Sequence, residues 1–344
     1  MANIKNNTRK PLGILFLRHA SKFYEIWGRT LAVLSIIHGD DADGLTCGAL
    51  IKRVKGGETY LVNYDNLDKA LEKVAPPVDV LYICDLNIRD ALEPELMRIN
   101  RFAQIHIIDH HQMTTKLMER LRKNGVRIRL ETDDCAAVLV YDTFKAQLGN
   151  EGKRMAAYAA ISDMFENGPI ADRLLAKLDR KFAQHEAQIL THALSADQSI
   201  QFKRQVMEEL SKYNYPHRIS GVVEKAVQCL EEMTKIKEQI PELAEIHGRV
   251  AIMEAINDYS TGGISNLLIE TLGVDVGICY KANGEFYNMS MRGEKKLEEN
   301  LGSLCKDIAA KYDGFGGGHQ RASGLKIPKE NLENVLKDFK NQLN

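Results

Sequence analysis

The feature that most constrains this chain is an alternation. Five short runs rich in β-branched residues are separated by stretches with helical spacing, such as "LTCGALIKRV" and "RDALEPELMRINRF". The runs are "LAVLSII" (Leu31 to Ile37), "TYLVNY" (Thr59 to Tyr64), "VDVLYIC" (Val78 to Cys84), "QIHII" (Gln104 to Ile108) and "VRIRL" (Val126 to Leu130). Strands that are apolar at nearly every residue have both faces covered, and strand–helix alternation places them in a mainly parallel sheet. All carboxyl ends of such a sheet lie on one edge, where ligands bind. Two more helices are expected to follow, around 135–148 and 152–164.

Charged and imidazole side chains gather at that edge. "LAVLSII" runs into "HGDDADG", with His38, Asp40, Asp41 and Asp43; "VDVLYIC" runs into Asp85; "QIHII" runs into Asp109, His110 and His111. One acidic strand end is ordinary capping, but three in one sheet, two of them with histidine, exceed what capping needs. So many anions repel one another and raise their pKa values unless cations compensate. Mixed Asp and His donors suit first-row ions such as Mn²⁺ better than Ca²⁺, with Mg²⁺ wanting fewer imidazoles. Asp41 and Asp43, two apart, can face different ions, and Asp85 stands where it can bridge them. Two ions roughly 3.5–4 Å apart would clamp a phosphoryl group and generate hydroxide.

A length of 344 residues favours two domains. An N-terminal α/β domain is expected over 1–171, a helical connector over 172–247 broken by Pro216 and Pro241, and a smaller α/β domain over 248–344, with the active site in the cleft between the two domains. The late strands are "RVAIMEAI", "VDVGICYKA" and "FYNMSMRG", after which comes "GFGGGHQRASG". A formal charge of −1 provides no global basic field for long duplex DNA. Six scattered cysteines without a C-x-x-C pair argue against a zinc ribbon or a disulfide scaffold and suit a reducing cytoplasm. "PLGILFL" is too short to span a bilayer and lacks the features of a signal peptide, so no membrane partner and a cytoplasmic location are expected.

"DADG", the isolated Asp85, "DHH" at Asp109 to His111 and Asp163 in "AAISDMFENG" resemble the successive motifs of the DHH phosphoesterase superfamily. "GFGGGHQRASG" resembles the signature of its DHH-associated C-terminal domain. Together these span about Leu31 to Leu325, and the branch most similar holds RecJ-type exonucleases, oligoribonucleases with pAp-phosphatase activity and cyclic-dinucleotide phosphodiesterases. The resemblance implies that His38, Asp41 and Asp85 bind one Mn²⁺, and that Asp43, Asp85, His110 and Asp163 bind a second. It further implies that His111 contacts the scissile phosphate while Asp109 orients the histidines. One departure stands out: His38 is three residues ahead of Asp41, where the motif's histidine is usually two or four ahead. Either the loop carries an extra residue or Asp40 takes a ligand role.

The C-terminal motif fits anion binding on its own chemistry. Gly316, Gly317 and Gly318 let backbone N–H groups approach an anion without a Cβ in the way. His319 and Arg321 offer charge-assisted donors, with Arg292 in "MSMRG" as a second contact. The expected activity is hydrolysis of short RNA or DNA oligonucleotides, linear dinucleotides or pAp-type nucleotides with two Mn²⁺, Mg²⁺ or another divalent ion being able to substitute. A RecJ-like single-strand exonuclease is the runner-up, and a non-catalytic nucleotide-binding scaffold is the reading from another class. A homodimer is left open. Asp133 and Asp134 read as the cap of the helix starting near Cys135, "ASKFYEIWGRTLA" with Trp27 as a helix on the sheet, and Leu332, Val335, Leu336, Phe339 and Leu343 as a core-facing helical stripe.

Overall fold

The sequence alternation becomes a sheet of five parallel strands. The structure, a computed structural model, describes residues 25–26, 29–257 and 259–343, with backbone alone for 25–26 and 29–30. The chain divides into two compact units, one of residues 1–183 and 207–213, the other of 184–206 and 214–344. The stretch read as a connector is thus shared between them. "PLGILFL" and Trp27 lie outside the described residues. The described part of "ASKFYEIWGRTLA" is not helical: β1 (Glu25–Ile26) and β2 (Arg29–Thr30) pair antiparallel, in keeping with β-branched Ile26 and Thr30.

The first unit continues with β3 (Val33–His38), α1 (Ala42–Lys55), β4 (Glu58–Val62), α2 (Leu67–Glu72), β5 (Val80–Cys84), α3 (Glu93–Ile99), β6 (Gln104–Asp109), α4 (Thr115–Lys123), β7 (Arg127–Leu130), α5 (Ala136–Ser162) and α6 (Pro169–Leu175). The sheet order is β4-β3-β5-β6-β7, parallel throughout. Leu34, Ile36, Leu81, Ile83, Ile105 and Ile107 pack one face against α2, α3 and α4. Helix α5 spans both helices expected there; its two parts meet at Gly149, whose φ of +58° interrupts the helix.

Next come α7 (Arg180–Ala196), α8 (Ile200–Ser211) and α9 (Val222–Leu243). Pro241, read as a break, sits inside the last turn of α9, where it forfeits one i→i−4 bond and the helix ends two residues later. The second unit then adds β8 (Glu245–His247), β9 (Val250–Glu254), α10 (Thr261–Leu272), β10 (Val276–Asn283), β11 (Phe286–Gly293), α11 (Leu301–Lys311), β12 (Phe315–Gly318), β13 (Ala322–Pro328) and α12 (Leu332–Gln342). Its mixed sheet runs β12-β13-β11-β10-β9-β8. Val335, Phe339 and Leu343 of the C-terminal stripe are buried against one face beside Leu301, Cys305 and Ile308; Ile264, Leu267 and Leu268 of α10 pack on the other with Ile236 and Ile240 of α9. All six cysteines are free and buried.

Candidate metal centre

In the parallel sheet the chain's order of strands reverses between β3 and β5, and the crevice at such a switch point is where open α/β sheets take their ligands. His38 is the last residue of β3, Asp85 directly follows β5, and Asp109 ends β6 with His110 and His111 behind it. Asp41 caps α1, accepting the N–H of Gly44 at 3.0 Å, and Asp163 caps the C-terminal end of α5. Asp85 adopts φ +58°, a left-handed conformation that costs a non-glycine residue and recurs at functional sites.

These side chains converge. His38 Nδ1 lies 3.1 Å from an Asp41 oxygen and 3.5 Å from Asp85 Oδ2. The other Asp85 oxygen, Oδ1, lies 3.2 Å from His110 Nε2, which is 3.8 Å from Asp163. Three sets of donors could therefore each hold a cation: His38 with Asp41 and Asp85, Asp43 with His110 and Asp163, and Asp85 with Asp109, His110 and His111, although Asp109 is already committed to four N–H donors. Asp85 offers one oxygen to each histidine. Asp40 is peripheral: its carboxylate is 3.7 Å from His38 Nε2 and is far more exposed than Asp85.

Asp109 stands behind the pair. Its Oδ1 accepts the backbone N–H groups of His110 (2.7 Å) and His111 (3.0 Å) and the Nδ1–H of His111 (2.8 Å), while Oδ2 accepts Leu86 N–H at 2.9 Å. Despite burial, these donors hold Asp109 below the usual carboxylate range.

Capping differs from expectation. Asp43, in the first turn of α1, accepts the N–H groups of Ala136 (2.9 Å) and Ala137 (2.8 Å) and so caps α5. Asp134, read as that helix's cap, instead accepts from Ile170 (2.9 Å) and Ala171 (2.8 Å) and caps α6. A carboxylate already inside the fold satisfies the orphan N–H groups of a helix as well as one beside it in sequence does. Each Asp43 oxygen keeps a lone pair beyond its cap bond.

The donor set fits a divalent cation. His38 Nδ1, Asp85 Oδ2, His110 Nδ1 and Asp163 Oδ2 are buried without a hydrogen-bond partner among the described residues, which is costly for polar atoms in a finished core. Charge tells the same story. Burial, together with neighbouring carboxylates, pushes Asp43 up to about 7 and Asp163 up to about 9. Burial opposes charge on the histidines, yet Asp85, Asp43 and Asp163 push His110 up to about 10, and Asp41, Asp40 and Asp85 push His38 up to about 12. Crowded carboxylates thus demand positive charge at this point, which bound cations would supply.

Two aromatic neighbours escaped the sequence reading. Phe165 meets the His110 ring edge-on at 4.8 Å, and the Tyr64 hydroxyl lies 3.1 Å from His111 Nε2. Tyr64 follows β4 at the same sheet edge, so the rule that exposed the acids applies to it as well. It was passed over because a tyrosine is not a usual metal ligand.

Residues 247–344 match the model of the DHHA1 domain. Solved structures with the same fold include the DHH domain of a member of the s1p family of ribosomal proteins, at TM-score 0.68 and 15% identity over 91% of this chain and 86% of that one. The chain thus carries a DHHA1 domain and shares the fold of that DHH-domain structure. The pGpG-specific phosphodiesterase PggH from Vibrio cholerae is similar at TM-score 0.55 and 15% identity, over 90% of this chain and 98% of that one. Exonuclease RecJ bound to manganese is similar at 0.56 and 12%, over 90% and 89%. No curated protein matches the sequence.

Within the DHHA1 domain the glycine motif is a strand pair. Gly316, Gly317 and Gly318 lie in β12 and pair with Leu325, Gly324 and Ser323 of β13. Gly318 has φ +133°, and a Cβ there would meet the carbonyl oxygen of Ala322 at 2.7 Å. His319 and Arg321 form the exposed turn, with Arg321 Nη1 donating to the carbonyl of Lys295 at 3.2 Å. Arg292 pairs with Ala322, one residue from Arg321. Its Nη1 donates to the carbonyl of Met291 at 2.9 Å, and no carboxylate pairs with it among the described residues. A Cβ on Gly262 would meet Nη2 at 2.4 Å, so glycine there lets the guanidinium lie against the start of α10.

Proposed function

We propose that this chain is a divalent-metal-dependent phosphoesterase acting on short oligonucleotides, linear dinucleotides or pAp-type nucleotides, with Mn²⁺ as its preferred ion. The observation that carries the reading is the shared carboxylate of Asp85, whose two oxygens address His38 and His110 among buried atoms that otherwise lack partners. His38, Asp41 and Asp85 would hold one ion and Asp43, Asp85, His110 and Asp163 the other. Bound there, the ions would make water nucleophilic at neutral pH and neutralise charge developing on phosphoryl oxygens. His111 contacts the scissile phosphate, and Asp109 fixes its ring by accepting from Nδ1.

Arg292, Arg321, His319 and those N–H groups of Gly316 to Gly318 that point away from β13 hold the remainder of the substrate. Phe315, beside those glycines and 75% exposed, presents an aromatic face on which a base can stack. The near-zero charge favours short ligands over long strands. Two structural relatives bear names in keeping with this, PggH for pGpG and RecJ for an exonuclease with bound manganese. The test is a side-by-side time course with Mn²⁺ on single-stranded RNA and DNA of graded length, together with pAp. The reading predicts 5′-mononucleotide release, fastest from two- to five-residue substrates. Preference for long single-stranded DNA would favour a RecJ-like exonuclease, and a protein that neither binds metal nor turns over any substrate would favour a binding scaffold.

A further inference from the structure

Strand β11 divides its side chains between two faces. Met289 and Met291 are buried in the core beside Leu301 and Cys305, so Asn288, Ser290 and Arg292 share the opposite face. Their partners across the ladder on β13 are Lys326, Gly324 and Ala322. The floor is therefore bare beside Ser290 and Arg292 and rises at Asn288. Helix α10 begins over this row, with the Thr261 and Ser290 hydroxyls 2.8 Å apart.

On the far side of Ser290 from Arg292 the surface opens into a recess of about 380 Å³, lined by Tyr259, Thr261, Lys281, Asn283 and Asn288. The side-chain amides of Asn283 and Asn288 have no hydrogen-bond partner among the described residues. Lys281 Nζ donates to the carbonyl of Asn257 at 3.2 Å. The Tyr259 ring lies against the first turn of α10, where a Cβ on Gly263 would meet its Cε1 at 2.4 Å, and so forms a fixed aromatic wall. A phosphate calls for cations and N–H donors alone. Two amides offer donors and acceptors side by side, which is the pattern along a nucleobase edge. Asparagine matches adenine in this way, donating to N7 and accepting from the N6 amine, and a tyrosine ring supplies a face for stacking.

We propose that this recess is a nucleobase subsite with a preference for adenine, set along β11 from the phosphate contact at Arg292. The proposal rests on the reading that the DHHA1 domain holds nucleotide substrates. Two measurements on the full chain test it, the first without turnover. In metal-free, asparagine-labelled protein, AMP is expected to shift the side-chain amide resonances of Asn283 and Asn288; UMP should shift them less, and inorganic phosphate at the same concentration should shift neither. In kinetics with Mn²⁺, the ratio of kcat/KM for pApA to that for pUpU is expected to fall about tenfold in Asn288→Ala, the size of one lost bidentate base contact. Asn283→Ala, at the exposed rim of the recess, should lower the same ratio and carries the test if Asn288→Ala does not fold. Amide resonances that AMP leaves unmoved, or that phosphate alone moves equally, would overturn the subsite. Equal kcat/KM for pApA and pUpU in wild type, or an unchanged ratio in both variants, would overturn the preference for adenine. If wild-type protein turns over no substrate, the proposed function falls, and the AMP titration alone still decides whether the recess takes a base.

Discussion

In the first unit, acids and imidazoles from four loops converge on a buried point, where Asp43 and Asp85 are only 1% and 2% exposed. In the second, the glycine motif is an exposed strand pair whose turn carries His319 and Arg321. The first arrangement goes beyond what helix capping needs, because crowded buried carboxylates cost stability until something compensates them. The second places donors at the surface with little burial penalty, as suits holding an anion. Substitutions should therefore separate the two regions by kinetic constant: kcat for the first, KM for the second.

The largest effect is expected at the proposed metal ligands. His110→Ala and Asp85→Asn should each lower kcat by about a thousandfold or more while circular dichroism stays native. Full activity in either would break the distinction. Next comes the DHHA1 domain, where Arg321→Ala and Arg292→Ala should raise KM about tenfold or more and leave kcat within a few-fold; a collapse of kcat with KM constant would assign these arginines to the reacting centre instead.

The parallel sheet and its convergence of acids were legible because strand ends are marked by abrupt changes from apolar to charged residues. The glycine motif was legible because G-G-G-H followed by R-A-S-G has little reason to occur by chance. What stayed hidden depends on distance through space. Nothing near Asp43 in sequence announces the α5 N-terminus it caps, and Asp134 stands 36 residues before Ile170, whose N–H it accepts. The two-residue strands before Leu31 were read as helix because a short amphipathic pattern fits either. Tyr64 stayed hidden because a phenol is not a usual metal ligand.

Asp134 offers a smaller and purely structural contrast. Asp134→Ala should destabilise the protein by about 1–3 kcal/mol in denaturant unfolding, by uncapping α6 and leaving buried N–H groups unpaired, with metal affinity unchanged. An altered metal affinity would mean that capping and ligation are not separable here. The smallest effect lies at strand β6, where His106 within the strand and His110 just past its end are driven in opposite directions. Burial, with Arg127 and Lys55 nearby, pushes His106 down to about 4, whereas the carboxylates push His110 up. A folded value below the unfolded one means that the native state binds fewer protons, so His106 costs stability as pH falls from about 6.5 towards 4 and is neutral above that window. His106→Gln should accordingly lose less Tm than wild type between about pH 7 and pH 4.5; an equal loss would show that His106 does not titrate as its surroundings dictate.

Calorimetric titration of Mn²⁺ into chelator-treated protein addresses the central claim most directly. If Asp85 joins two cation sites, wild-type chain takes up two ions and Asp85→Asn loses tight binding at both. A wild-type chain that takes up none, or an Asp85→Asn chain that still takes up two with unchanged affinity, would contradict it.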